Sequence, residues 1–427
     1  MLKDDKANLG FALQATPSWL LDHNIGSDEW WIRLAEQGMP FQTLLASKYA
    51  RVDFCWRDPD GVSSDVQSVL LEVNGITSHR TWEPVSLNRI EGTDVWHGML
   101  VMPADWRASY RFIPLTQYQS PIYGKQHSDG SSASQRRWYM SIIQNSCHDP
   151  LNPLPLINEC KSALHGLAAK PELGFQDWEK GSFVRDDGQI QAWQWFSKRL
   201  SNTRAIQYLD TAPADLGKKR VVLLLDGQKW GGASGLPTVL KQLTNDNVLA
   251  SAHYLFIDSI SDEVRSHELA CSTSFWQAIF EELIPALRSQ FPIPVLAANT
   301  LVAGQSLGGL SAAFAGLYWP QLVCQIISLS GSFWWPNGRP GFWPESGSTS
   351  LFERLNLGEV SAQHLQAYFS VGNGELDMHA DNDQIVAAMR EEASVVYEQF
   401  QGGHDWLSWR SELINGLKHL IPAAQTA

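Results

Sequence analysis

Cysteine, charge and long apolar runs are all scarce in this chain. The five cysteines (Cys55, Cys147, Cys160, Cys271 and Cys324) are odd in number and scattered, so no disulfide framework is suggested. No two stand at C-x-x-C spacing, so no metal site is suggested. Charged residues make up 18 % and sum to a net charge of -13, which argues against a nucleic-acid partner or an anionic lipid surface. No apolar run approaches the roughly 20 residues that span a bilayer. The opening stretch, MLKDDKANLGFALQATPSWLL, lacks a basic segment followed by an apolar one and a small-residue cleavage site. The expectation is a soluble cytoplasmic protein with no membrane partner and no cofactor. Nothing in the sequence sets its oligomeric state.

What is present is a globular composition: 44 % hydrophobic residues, 427 residues in all, and nineteen tryptophans, many at places that read as loops. That length exceeds one ordinary core, so two domains are expected. Ser27 is placed to cap a helix over SDEWWIRLAEQG, with Trp30, Trp31 and Leu34 on one face. From about Tyr49 short alternating segments are punctuated by Asp-Pro-Asp-Gly and Asn-Gly turns, the pattern of a small β-sandwich over 47–116. The polar stretch 118–135 reads as a long loop, DPLNPLP as a connector, and WQWFSKRL as either strand or helix. Beyond Asn202, strands such as RVVLLLDG and AHYLFIDS alternate with helical patterns, implying a doubly wound, mostly parallel sheet.

Within that second half, NTLVAGQSLGGLSAAFAGL sets Gly304-Gln305-Ser306-Leu307-Gly308 between a strand and a helix, the context a G-x-S-x-G nucleophile requires. Glycines beside the serine allow close backbone approach and strained dihedrals, and the hydroxyl projects over the carboxyl ends of the strands. A serine needs a base. His404, after a strand and two glycines, has the expected chain order of serine, acid, histidine. The acid is sought after the penultimate strand, where Glu375 comes first and Asp377 is the alternative; Asp405 reads as a solvated surface charge. Leu307, just past the serine, and Gln228, in the turn LLLDGQKW, are the expected oxyanion donors.

These motifs resemble the enterochelin (enterobactin) esterase family, ferric-siderophore hydrolases of the esterase D-like group. The resemblance runs through FCWRDPDG, RIEGTDVW, DWRASYRFIP and DPLNP in the first half. In the second it is carried by VLLLDGQKW, RSHELACSTSFW, VAGQSLGGLSAAFAGLYWP, LSGSFWWP and GGHDWLSWR. It implies an N-terminal immunoglobulin-like β-sandwich over 1–165, a connector over 166–200 and an α/β-hydrolase domain over 201–427. It also implies Ser306 as nucleophile, His404 as base, Glu375 at the family's acidic position, and a ferric catecholate siderophore hydrolysed in the cytoplasm.

A ferric tris-catecholate is aromatic and carries about three negative charges, so arginines and aromatic walls suit it. SGSFWWPNGRPGFWP offers Trp334, Trp335 and Arg339 for this, with core packing as the other role of the loop. Arg265 is expected to touch the substrate or brace the site, or else to form a structural salt bridge with Glu268 or another acid. Trp56, Trp96 and Trp106 are expected in the sandwich core, with substrate contact as the alternative. Two rival functions stay open at this level: a general carboxylesterase for feruloyl or other aromatic esters, and a non-catalytic siderophore-binding module.

Overall fold

The computed structural model describes residues 16–46, 48–154, 156, 160–168, 190–212, 219–231, 235–291, 293, 299–336 and 349–424. Described residues up to 168, together with Gln401–Ser408, form one compact unit; those from 190 to 400, together with 409 onward, form the other.

The first unit holds β1 (Phe41–Ala46), β2 (Tyr49–Arg57), β3 (Val66–Val73), β4 (Ser86–Arg89), β5 (Val95–Pro103), β6 (Arg107–Thr116) and β7 (Ser162–His165). They hydrogen-bond antiparallel in the order β1-β2-β5-β4-β3-β6-β7. Val52, Phe54, Trp56, Val69, Leu71, Trp96, Trp106, Tyr110 and Phe112 meet in one core, so these three tryptophans pack as the core reading expects. Strands β2 and β6 are buried along most of their length, because helices pack on the side away from this core. Ser27 caps Asp28–Gln37 by accepting from Trp30 N at 3.2 Å, and Trp30, Trp31 and Leu34 of that helix bury against Cys55 and Val95.

The stretch 118–135 departs from its expected loop. It forms the helix Pro121–Gln126 and the first turn of a second, Ser132–Ile142. Ser120 and Ser131 cap them by accepting from Tyr123 N and Ser134 N, and proline occupies the first turn of the former. The apolar face that makes the second helix worthwhile, Tyr139 and Ile142 against Leu70, Ile113 and Leu115, lies past the polar part. Burying side chains of this size stabilises by about 1.5–3 kcal/mol each.

The second unit holds β8 (Gln191–Ser197), β9 (Asn202–Asp210), β10 (Arg220–Leu225), β11 (Ala252–Ile257), β12 (Thr300–Gln305), β13 (Gln325–Leu329), β14 (Gln366–Gly372) and β15 (Ser394–Phe400). Their order is β15-β14-β13-β12-β10-β11-β9-β8, with β15 through β11 parallel and the pair β9, β8 antiparallel at one edge. WQWFSKRL is therefore largely strand, and sheet pairing begins at Gln191, within the segment 166–200 expected as connector. Both sheet faces are covered. Val221, Leu223 and Leu225 share a core with the helix Leu307–Tyr318 and with Phe275, Trp276 and Ile279. On the opposite face the last helix, Trp406–Leu420, brings Gly416 against Ile327 and Tyr368. The architecture is α/β with a mostly parallel sheet, as expected.

Candidate active site

From β10 the chain crosses to β11 on one side, and from β12 to β13 on the other, so the switch point of the sheet lies between β10 and β12. Open α/β sheets bind ligands outside the carboxyl ends of the strands at such a point. Three neighbouring strands end there on non-glycine residues with positive φ: Asp226 after β10 (58°), Ser306 after β12 (58°) and Ser330 after β13 (47°). Side chains rarely adopt this backbone, and it persists only where the surroundings enforce it.

Ser306 has φ 58° and ψ -121° and leads directly into the helix Leu307–Tyr318. The chain enters that corner through Gly304, where a Cβ would stand 2.5 Å from the Gly308 carbonyl carbon, so only glycine fits. The corner is fixed by Ser306 N donating to Leu329 O at 2.9 Å and by Ser332 N donating to Ser306 O at 3.0 Å. The half-buried Ser306 hydroxyl lies 3.3 Å from that of Ser332, a neighbour the sequence reading did not single out. Leu307 opens the helix, where the first backbone N–H groups have no partner within the helix and favour negative charge.

Glu375 is buried at the start of the helix Leu376–Arg390. Its Oε2 accepts from the Ser330 hydroxyl at 2.6 Å and from Gly372 N at 2.6 Å. The Ser330 hydroxyl in turn accepts from Trp409 Nε1 at 2.9 Å, and Asn382 Nδ2 donates to Gly331 O at 2.9 Å. The same two-strand corner thus carries Glu375, Ser330 and Ser332. Asp377 is exposed, and Asp383 accepts from the Tyr397 hydroxyl at 2.7 Å.

Gln228 is exposed in the short helix Gly227–Trp230 after β10, and its side-chain oxygen accepts from Ser259 N at 3.1 Å. Arg265, in the helix Asp262–Glu268, grips Asp226 with Nε and Nη2 at 2.7 and 2.8 Å. It does not pair with Glu268, which instead meets the buried Arg204 at 2.6 Å. Of the roles considered for Arg265, the salt bridge to an acid other than Glu268 is the one seen, with Asp226 as that acid. Trp334 and Trp335 are partly buried and pack against the main core of this unit. Arg339 lies outside the described residues.

His404 is exposed, four residues past β15, within the stretch 401–408 that belongs to the first unit; its backbone oxygen accepts from Asn74 Nδ2 at 3.1 Å. Asp405 departs from its expected solvated role. It is buried, and its Oδ2 accepts from Ser109 N at 2.6 Å and Ser109 Oγ at 2.7 Å. An acid next to a Gly-Gly turn looks solvent-facing in sequence, because its partner stands almost three hundred residues away. Among the described residues, no group of three or more His, Cys, Asp and Glu side chains could hold a metal ion, and no helix is long and apolar enough to cross a membrane.

A mostly parallel α/β sheet with a strained serine at its switch point defines the class: an α/β-hydrolase-like ester hydrolase. The family described as "Enterochelin esterase, N-terminal" matches residues 51–173, and that described as "Putative esterase" matches 197–420. The iron(III) enterobactin esterase of Dickeya dadantii is 34 % identical over 407 residues, 93 % of each chain. Its counterpart from Escherichia coli K12 is 33 % identical over 92 % of this chain and 96 % of its own. The enterobactin esterase of Shigella flexneri, solved in the presence of enterobactin, superposes with a TM-score of 0.78 at 32 % identity, covering 93 % of this chain and 98 % of that one. The chain belongs to the iron(III) enterobactin esterase family.

Proposed function

We propose that this protein is a serine esterase that hydrolyses the ester bonds of ferric enterobactin-like tri-catecholate siderophores and thereby releases iron in the cytoplasm. The observation that carries the reading is Ser306 at a strained strand-to-helix corner, at the switch point of the sheet, in a chain of this family. Ser306 Oγ attacks an ester carbonyl while His404 takes its proton. The oxyanion is met by the backbone N–H groups of Leu307 and Gln228, each of which is worth several kcal/mol in such sites. The C–O bond to the departing serine alkoxide breaks, and protonated His404 supplies its proton. Water, deprotonated by His404, then attacks the acyl-enzyme and frees Ser306. Glu375 is the acid of this set: its burial and its place after β14 support it over the exposed Asp377.

For the substrate, Trp334 and Trp335 supply aromatic surface and Arg339 a cation suited to the anionic catecholates. Arg265, its charge matched by Asp226, braces the site from beneath. The seven antiparallel strands of the first unit, with their tryptophan-rich core, support the immunoglobulin-like sandwich as its fold, and the two units support domains near 1–165 and 201–427. Hydrolysis of ferric enterobactin by wild type and by Ser306→Ala, followed by product mass, tests the function. The expected result is release of dihydroxybenzoyl-serine units by wild type and loss of about 10⁴-fold or more in the variant. Preferential turnover of methyl ferulate, or unchanged hydrolysis by the variant, would overturn it.

A further inference from the structure

Resting on the reading of Ser306 as nucleophile with Leu307 and Gln228 as oxyanion donors, we infer that Asp226, Gln305 and Arg265 form a positioning bracket that holds those two donors in register across the switch point. Asp226 is buried to 2 % exposure at φ 58° and ψ 43°, a backbone that glycine would adopt without strain. An aspartate there has a purpose that its contacts supply. Its Oδ1 accepts from Ser259 Oγ and from Arg265 Nε, and its Oδ2 from Gln305 Nε2 and Arg265 Nη2.

Gln305 is the residue immediately before Ser306, fully buried, and both ends of its amide are held. The amide nitrogen goes to Asp226, and the amide oxygen accepts from Trp230 Nε1 at 3.1 Å. Arg265 Nη2 also reaches the Gln305 backbone oxygen at 3.4 Å. The corner after β10 and the corner after β12 are thus tied by one buried amide. Each donor stands two residues beyond a member of the tie: Gln228 after Asp226, Leu307 after Gln305. Gly227 lets the first corner press onto β11, since a Cβ there would lie 2.3 Å from Ile257 N.

The bracket also settles an electrostatic conflict. A bare carboxylate beneath an oxyanion site would oppose the negative charge that develops in the transition state. The two-pronged pairing by Arg265 cancels that charge and leaves the geometry. Arg265 acts through Asp226 on the donors, as a positioning residue.

The test compares kcat and KM for ferric enterobactin in Asp226→Asn, Arg265→Gln, Arg265→Lys and the double variant Asp226→Asn/Arg265→Gln. Each rate is normalised to the fraction of Ser306 that takes a fluorophosphonate label to completion. Loss of donor register falls on the transition state, so kcat should drop about 10²-fold in Asp226→Asn and in Arg265→Gln, with KM moving less than about threefold. Arg265→Lys should recover part of that loss. The double variant should exceed Arg265→Gln, because removing the stranded carboxylate removes its repulsion of the oxyanion.

If Asp226→Asn does not accumulate folded, Ser259→Ala deletes one hydroxyl from the same carboxylate and should lower kcat about 3–10-fold. Full labelling with kcat within threefold of wild type in these variants, or a rise in KM alone, sinks the bracket and leaves Ser306 standing. Wild type that turns over without taking label at Ser306 sinks both.

Discussion

Two corners of the sheet use one backbone device to opposite ends. Asp226 and Ser306 each close a buried parallel strand at φ 58°. The carboxylate of Asp226 is wrapped by Ser259, Gln305 and both prongs of Arg265, whereas the Ser306 hydroxyl is half-buried with a long 3.3 Å approach to Ser332. A strained corner is therefore no mark of a nucleophile by itself. What the strain does depends on what meets the side chain: a matched set of buried donors makes a rivet of Asp226, while Ser306 at the other corner stays only half-buried.

That contrast can be broken at Glu375, which reaches the third corner through Ser330. Glu375→Ala should lower kcat on ferric enterobactin by about 10³-fold, the scale for losing the orienting acid of a triad. A loss below tenfold would make Glu375 a rivet like Asp226. Gly304→Ala attacks the nucleophile corner from its backbone side. A Cβ placed 2.5 Å from Gly308 forces strand and helix apart, and chemical denaturation should register a destabilisation of about 2–4 kcal/mol.

A buried carboxylate without a matching guanidinium sharpens the comparison. Asp149, in the first unit, is held by neutral donors, the Tyr110 hydroxyl at 2.7 Å and Leu151 N at 2.9 Å. Burial pushes its carboxyl up to about 6, against the Tyr110 bond that pulls it down. Its folded-state value lies above the unfolded one, so the native state holds the proton more tightly and stability falls as pH rises from about 4 to about 6. Relative to Asp149→Asn, which cannot ionise, wild type should lose on the order of 2–3 kcal/mol across that window, read from urea midpoints. The smallest effect is expected at Ser332→Ala, where loss of one neutral hydrogen bond to the nucleophile lowers kcat about 3–10-fold.

Local pattern carried much of this into the sequence. The parallel strands are apolar runs, the Ser27 cap precedes a periodic face, and Gly304-x-Ser306-x-Gly308 sits between a strand and a helix, so all were legible. What escaped depends on distant partners. Asp405 looks solvated until Ser109 is placed on it, and the helix Ser132–Ile142 gains its reason only from Leu70 and Ile113. Asp226 reads as part of a turn and nothing local marks Gln305, because the amide that joins them spans 79 residues. Arg265 was legible as a cation that would pair with some acid, but Asp226 was not legible as that acid.

Whether Ser306 is the atom that does the chemistry is tested most directly by titrating the protein with a fluorophosphonate. At each point the modified fraction of the Ser306 peptide is measured beside the remaining ferric enterobactin hydrolysis. The two should fall together, one equivalent on Ser306 abolishing turnover. Hydrolysis that survives complete modification of Ser306 would contradict the account.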